Sequence, residues 1–341
     1  MLVVIALGDS AIVQRDQPLN SHALRQCIQH AAQCIAEIAN QHQVILLHGN
    51  GPAIGLLTLM NGNCADLNTG TADVLGAQAR AVTGFLLEQA LRNQLPQQSF
   101  CSMSHLTLVD ADDPAMIHPT RYVGPLYNRV QAQLVQEQNP DWVLKQTGRL
   151  YRRMIPAPEP KGVLEMATLK HLVAADNMFV ICGCGGGLPV RKSTDNRING
   201  VEAMVDRDET AALIARTLNA NALLLLSSID AVSDKPGHPE ARLIRTITVT
   251  HLESLGFNDT AMAPKVKAAS GYLAKNELAK NELAKNELAK DKLVDRQLND
   301  SRRFCAIGNL HNAASVLSGQ SGTRVCASAP SSSEGAEIVY Y

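Results

Sequence analysis

The chain has 341 residues, 45% hydrophobic and 18% charged, enough apolar material for one large α/β domain or two ordinary ones, which excludes wholesale disorder. Lys plus Arg number 31 against 32 acids, so no charge excess exists to hold DNA, RNA or an anionic membrane. Aromatics at 4%, with one Trp, are too few for a platform that stacks nucleic-acid bases.

Residues 2–7 are a short apolar run ending at Gly8, with no basic lead before it; it reads as a first buried strand, not a signal peptide. The pattern over 24–39 predicts a helix. Val44-Ile45-Leu46-Leu47 is a second strand running into His48-Gly49-Asn50-Gly51-Pro52, and 74–91 reads as another helix. Residues 114–160 hold seven prolines, poor material for a central strand, and are read as an excursion with its own fold, a protruding lid over 115–160. Met178-Phe179-Val180-Ile181 is a strand expected to end in a glycine-rich loop at 183–187. A helix follows over 210–218, then the strand Leu223-Leu224-Leu225-Leu226 running into Ser227-Ser228-Ile229-Asp230.

Apolar runs without alternation fit strands buried on both faces, and their alternation with helices predicts a three-layer α/β/α sandwich on a mostly parallel sheet. Ligands of such sheets bind at the C-terminal strand ends, where these glycine-rich turns lie. No apolar stretch reaches the ~18 residues of a membrane span.

Ala-Lys-Asn-Glu-Leu occurs three times in tandem from Ala274 to Leu288 within a repetitive segment, 273–298. A five-residue step turns roughly 140° on a helix, so its leucines spiral and form no stripe. It reads as a helical insertion tolerated at the surface. Residues 327–341 are Ser-rich and expected to be a flexible tail, leaving 1–326 as the folded domain. The eight cysteines form no C-x-x-C pair and fit reduced thiols of a cytoplasmic protein.

Glycine-rich turns let backbone N–H groups converge on phosphate oxygens, but neither a P-loop nor a G-x-G-x-x-G fingerprint is present. Seven short segments taken in order are more specific. They are Gly8-Asp9-Ser10-Ala11, His48 to Pro52, Asp113-Pro114-Ala115 with Pro119-Thr120-Arg121, Lys145 with Arg152-Arg153, Gly183 to Val190, Val205-Asp206-Arg207-Asp208, and Met262-Ala263-Pro264-Lys265-Val266. Together they resemble the carbamate kinases of the amino-acid kinase superfamily, from residue 2 to about residue 326.

That resemblance implies the amino-acid kinase fold and interconversion of ATP plus carbamate with ADP plus carbamoyl phosphate. It also implies Mg²⁺ carried mainly by the nucleotide phosphates, a cytoplasmic homodimer, and a context in arginine metabolism. By the same resemblance Lys145, Arg207 and Lys265 neutralise the transferring phosphoryl and Asp208 holds these cations in place. Gly8, Asp9, Ser10, Gly49, Asn50, Gly51 and Arg153 face the acceptor and phosphoryl. Gly185, Gly186, Gly187, Ser227, Asp230, Val232, Met262 and Pro264 line the nucleotide. No residue is assigned as a metal ligand. The acceptor is already an anion, so the chemistry needs cations and N–H groups rather than a general base.

Departures from the family pattern gather at this site. Asp9-Ser10 stands for Gly-Asn, Cys184 for a glycine and Arg207 for a lysine. A carboxylate beside a phosphoryl group is repulsive, and a planar guanidinium fork does not fill the place of a compact ammonium. These positions separate an active kinase from a degenerate homologue that binds nucleotide or assembles, and from a kinase of another small acid.

Overall fold

The structure is a computed structural model and describes residues 1–12, 21–49, 53–54, 57, 71–175, 177–257, 262–274, 303–328 and 337–341. Asn50, Gly51 and nearly all of the Ala-Lys-Asn-Glu-Leu repeat lie outside these residues.

The main sheet is built around β1 (Leu2–Leu7), which pairs in parallel with β2 (Gln43–His48) on one side and β10 (Ala222–Ser227) on the other. Beyond β2 come β8 (Met178–Lys192), β3 (Ser99–Leu108) and the short β7 (Gly162–Val163). Beyond β10 come β13 (Phe304–Asn309), β14 (Thr323–Cys326), β12 (Leu243–Thr248) and β11 (Val232–Ser233), while β9 (Ile198–Gly200) pairs β8. Residues 3–7 are fully buried, as an unbroken apolar run predicts for a central strand. Val3, Ile5 and Leu7 face one core, with α2 (Ser21–Ala39), α3 (Ala72–Gln94) and α9 (Ala313–Ser318). Val4 and Ala6 face the other, with α5 (Met166–Ala174), α6 (Arg207–Thr217), α7 (Val249–Ser254) and α8 (Ala263–Leu273). This two-residue alternation between two cores makes the three layers. Each fully buried Leu or Ile contributes about 1.5–3 kcal/mol.

The proline-rich excursion contains a separate antiparallel sheet, β4 (Arg121–Tyr127), β6 (Leu150–Ile155) and β5 (Val143–Thr147), in the order β4-β6-β5. Helix α4 (Arg129–Gln138) belongs to it, and Asn128 with Gln131 closes a reciprocal capping box at its start. Val123 and Ile155 of this sheet share a small buried cluster with Ile54 and Ala79.

Two expectations are corrected. The glycines at 183–187 are not a loop after a strand: β8 runs through them, pairing with β3 on both sides of a register shift between Ser104 and Leu106. Gly185 and Gly187 have φ of 57° and 95°, so glycine lets the strand bend without ending. The tail is not mobile to its end. Residues Ile338–Tyr340 form β15, antiparallel to β12, and the Arg242 guanidinium stacks 3.8 Å from the Tyr340 ring centre. Its Ile-Val-Tyr composition is strand material that covers a sheet edge.

Candidate active site

The order β10-β1-β2 reverses the direction of winding at β1, and in open α/β sheets such a switch opens a crevice at the C-terminal strand ends. Gly8 ends β1 there, its N–H donating to Leu226 O at 2.8 Å; a Cβ on Gly8 would lie 2.9 Å from that oxygen. Asp9 and Ser10 begin the four-residue helix α1 (Asp9–Ile12). Gly49 follows β2, with its N–H donating to Leu7 O at 3.1 Å.

The first turn of α6 enters the same place. The Asp206 side chain caps this helix by accepting from the N–H groups of Asp208 and Glu209, which fixes the direction in which Arg207 and Asp208 leave it. Arg207 Nη2 and Nε both lie 3.1 Å from Asp208 Oδ1, and Lys265 Nζ of α8 donates to Asp208 Oδ2 at 2.7 Å. Both oxygens of one buried carboxylate are thus held by cations. Burial alone would raise the Asp208 pKa, but Arg207 and then Lys265 outweigh it and hold the group well below the ordinary carboxylate range.

Asp9 completes the group in a way no local sequence pattern indicates. Its Oδ1 lies 4.0 Å from Arg207 Nη1. A Cβ on Gly49 would overlap that same oxygen and stand 2.7 Å from Arg207 Nη1. The two departures, Asp9 and Arg207, therefore face one another across the bare face of Gly49.

The remaining expected residues spread around this centre. Gly186 O accepts from Thr107 Oγ1 at 2.7 Å and Thr210 Oγ1 at 2.9 Å, and a Cβ on Gly186 would be 2.2 Å from Val205 O. The glycine strand and the segment leading to α6 are locked together by that absence of a side chain. Ser227 is buried at the end of β10 and Asp230 Oδ1 accepts from Asn309 Nδ2 at 2.8 Å. Val232 N–H donates to Thr323 Oγ1 at 2.8 Å, and Met262, the N-cap of α8, and Pro264 lie within the one turn that leads into Lys265. Lys145 lies exposed on β5 and makes no ion pair among the described residues. Arg153 on β6 bonds Glu202 at 2.9 Å and stacks 3.6 Å from the Trp142 ring centre. The structure thus brings Gly8, Asp9, Gly49, Arg207, Asp208 and Lys265 together, while Lys145 and Arg153 stay on the small sheet.

Sequence reasoning assigned no role to five contributors. Asp206 also accepts from Arg121 of β4, tying the small sheet to the cap of α6. Lys267 bridges Glu159 at 2.6 Å and Glu209 at 3.0 Å. Beneath the loops, Arg80 of α3 donates to Gly187 O at 3.0 Å, between the fully buried His48 and His105. His48 Nδ1 donates to the Gly49 carbonyl at 3.0 Å, so its neutral ring leaves Nε2 without a proton. Burial lowers the His48 pKa to about 4, the Gly49 bond opposing; burial, then Arg80 and His48, lower that of His105 to about 3. His48 stands in the His48 to Pro52 motif, but its meeting with His105 depends on the fold, which no local pattern shows; an Asp at the start of a charged helical turn is the signal that marks Asp206.

Comparisons with known proteins identify the family of the chain. The model of the amino acid kinase family matches residues 1–278. Carbamate kinase of Haemophilus influenzae is 32% identical over 327 residues, covering 95% of this chain and 96% of that protein. Carbamate kinase of Rhizobium meliloti is 36% identical over 276 residues, covering 80% of this chain and 85% of that one. In structure, carbamate kinase from Giardia lamblia bound to AMP-PNP superposes with a TM-score of 0.80 at 27% identity, covering 95% of this chain and 98% of that one. With its glycine turns, buried cation pair and crevice in this arrangement, the chain belongs to the carbamate kinases of the amino acid kinase family.

Proposed function

We propose that the chain transfers a phosphoryl group between ATP and carbamate, giving ADP and carbamoyl phosphate in a reversible reaction. The observation that carries this is the pair Arg207 and Lys265, both fixed on Asp208 beside the loops after β1 and β2. A phosphoryl in flight is stabilised by cations already in place, and these need no rearrangement when charge develops. The acceptor is an anion, so no proton has to be removed from it. Gly8 and Gly49, whose own N–H groups are taken by Leu226 O and Leu7 O, leave room without side chains for acceptor and phosphoryl to approach. The glycine strand 185–187, with Ser227, Asp230, Val232, Met262 and Pro264, forms the nucleotide side. The small sheet acts as a lid over 115–160, and its closure would bring Lys145 and Arg153 from it to the site.

Mg²⁺ enters with the nucleotide phosphates, whose charge it neutralises. Both oxygens of Asp208 are engaged by cations, and among the described residues no group of three or more His, Cys, Asp or Glu is placed to hold a metal. Among the described residues no helix is long and apolar enough to cross a membrane. A homodimer is supported by exposed Val74, Val82 and Phe85 on α3, apolar side chains that a second copy would cover. The test is coupled ATP formation from carbamoyl phosphate and ADP. Product formation lost in Lys265→Ala is expected; an inactive protein that still binds ADP would favour the degenerate reading.

A further inference from the structure

We propose that a cavity at the far end of the sheet binds a small organic cation bearing several N–H donors, of which guanidinium is the simplest planar form. The cavity measures about 320 Å³ and lies where β2, β3 and β8 begin. The crevice lies at the C-terminal ends of the same parallel strands. The six residues of β2, roughly 20 Å of strand, separate the two sites, and they share no residue.

The walls supply hydrogen-bond acceptors. Gln43 Nε2 donates to Val173 O at 2.7 Å, Gln98 Nε2 to Ala39 O at 2.9 Å and Asn177 Nδ2 to Gln97 O at 2.6 Å. Each amide nitrogen is turned onto a backbone carbonyl, and this fixes the amide's orientation, because an amide oxygen in that place would repel the carbonyl. The three side-chain oxygens accept from no described residue. Asn177 is held at φ 58°, and its carbonyl accepts from Ser99 N–H at 3.0 Å, so its side chain leaves a fixed backbone. Among the described residues no Lys, Arg, Asp or Glu lines the cavity, so no side-chain cation competes for these acceptors.

Two helix ends set the sign of the charge. Helix α2 ends at Ala39 in the wall, with no basic side chain in its last turn, and α5 ends beside Val173 and Ala175. The C-terminal end of a helix carries roughly half a negative charge. Two such ends with three amide oxygens favour positive charge and N–H donors over an anion. Carbonyls without a carboxylate suit an organic cation with directed donors better than a hard metal ion, and the space is far larger than a bare ion fills.

The full chain is titrated with methylguanidinium chloride at constant ionic strength and followed by saturation-transfer NMR. His42 also lines the cavity, and the titration is run at pH 8, well above the ordinary imidazole pKa of ~6.5. Saturable binding is expected. Gln43→Met with Gln98→Met keeps bulk and removes two oxygens; Asn177→Gly removes the third at a φ that glycine adopts freely. Each variant should lose roughly tenfold or more in affinity, and a thermal transition shows that it is folded. N-methylurea, with donors but no charge, and tetramethylammonium, with charge but no donors, should each bind roughly tenfold more weakly than methylguanidinium. No saturable binding to the full chain overturns the proposal. Unchanged affinity in the folded variants puts the cation elsewhere and overturns it too, as does equally tight binding of either control compound. If the double variant does not fold, Asn177→Gly alone decides.

Discussion

Acid should weaken this protein well above the pH at which its carboxylates titrate, because of His48 and His105. In the unfolded chain each imidazole takes up a proton near 6.5; in the folded protein burial holds them neutral down to about 4 and about 3. Between those limits the unfolded state binds more protons, so stability is fully present above pH 6.5 and is lost as pH falls. From pH 7 to pH 5 each histidine costs about 2 kcal/mol at 1.36 kcal/mol per pH unit, and the two together about 4. That is a large share of a typical 5–15 kcal/mol. Arg80 adds to the effect on both rings, Arg207 opposes a charged His48, and Asp9 works the other way. Urea unfolding at pH 7, 6 and 5 should show stability falling with a slope of about two protons near pH 5.5. In His105→Gln the slope, as distinct from the absolute stability, should drop to about one. A flat profile, or an unchanged slope in the variant, would refute the claim that these rings are buried and neutral.

Lys265→Ala should lower turnover by orders of magnitude, since one preorganised charge-stabilising group is worth ~3–4 kcal/mol of barrier, and Lys145→Ala should do the same if the small sheet closes over the site; steady-state ATP formation measures both. Asp9→Gly with Ser10→Asn should raise carbamoyl-phosphate-dependent ATP formation, and adding Arg207→Lys should raise it further, because a charge held ~4 Å from a phosphoryl repels it by about 4 kcal/mol at an effective dielectric of 20. Gly49→Ala places a Cβ onto Asp9 Oδ1; an approximately hundredfold loss of turnover is expected for such a displacement, partly restored by Asp9→Gly. Deleting 337–341 strips β15 from β12 and should cost about 3 kcal/mol in a urea titration.

The sandwich was legible because its central strands are unbroken apolar runs and its long helices carry a 3.6-residue period. Glycine has no side chain to show a period, so 183–187 read as a turn while its backbone continues the sheet. Ile338, Val339 and Tyr340 are good strand formers, but three residues after a Ser-rich stretch are too short a run to stand out. At the site, Asp9 and Arg207 each stood out alone as unsuited to the reaction. Their contact across Gly49 depends on β1, β2 and α6 meeting, which no local spacing encodes.

The small sheet is joined to the body by a minor apolar cluster and by charged pairs: Arg121 with Asp206, Arg153 with Glu202, and Glu159 in the returning segment with Lys267. Ions at physiological strength screen partly exposed charges beyond ~8 Å and weaken such pairs progressively as salt is added. The seam is therefore an electrostatic latch, and it opens at less cost than the core unfolds. Because Asp206 both takes Arg121 and caps α6, the latch pulls on the residue that aims Arg207 and Asp208. Ionic strength thus acts as a dial on how firmly the cation pair is set, independent of any nucleotide.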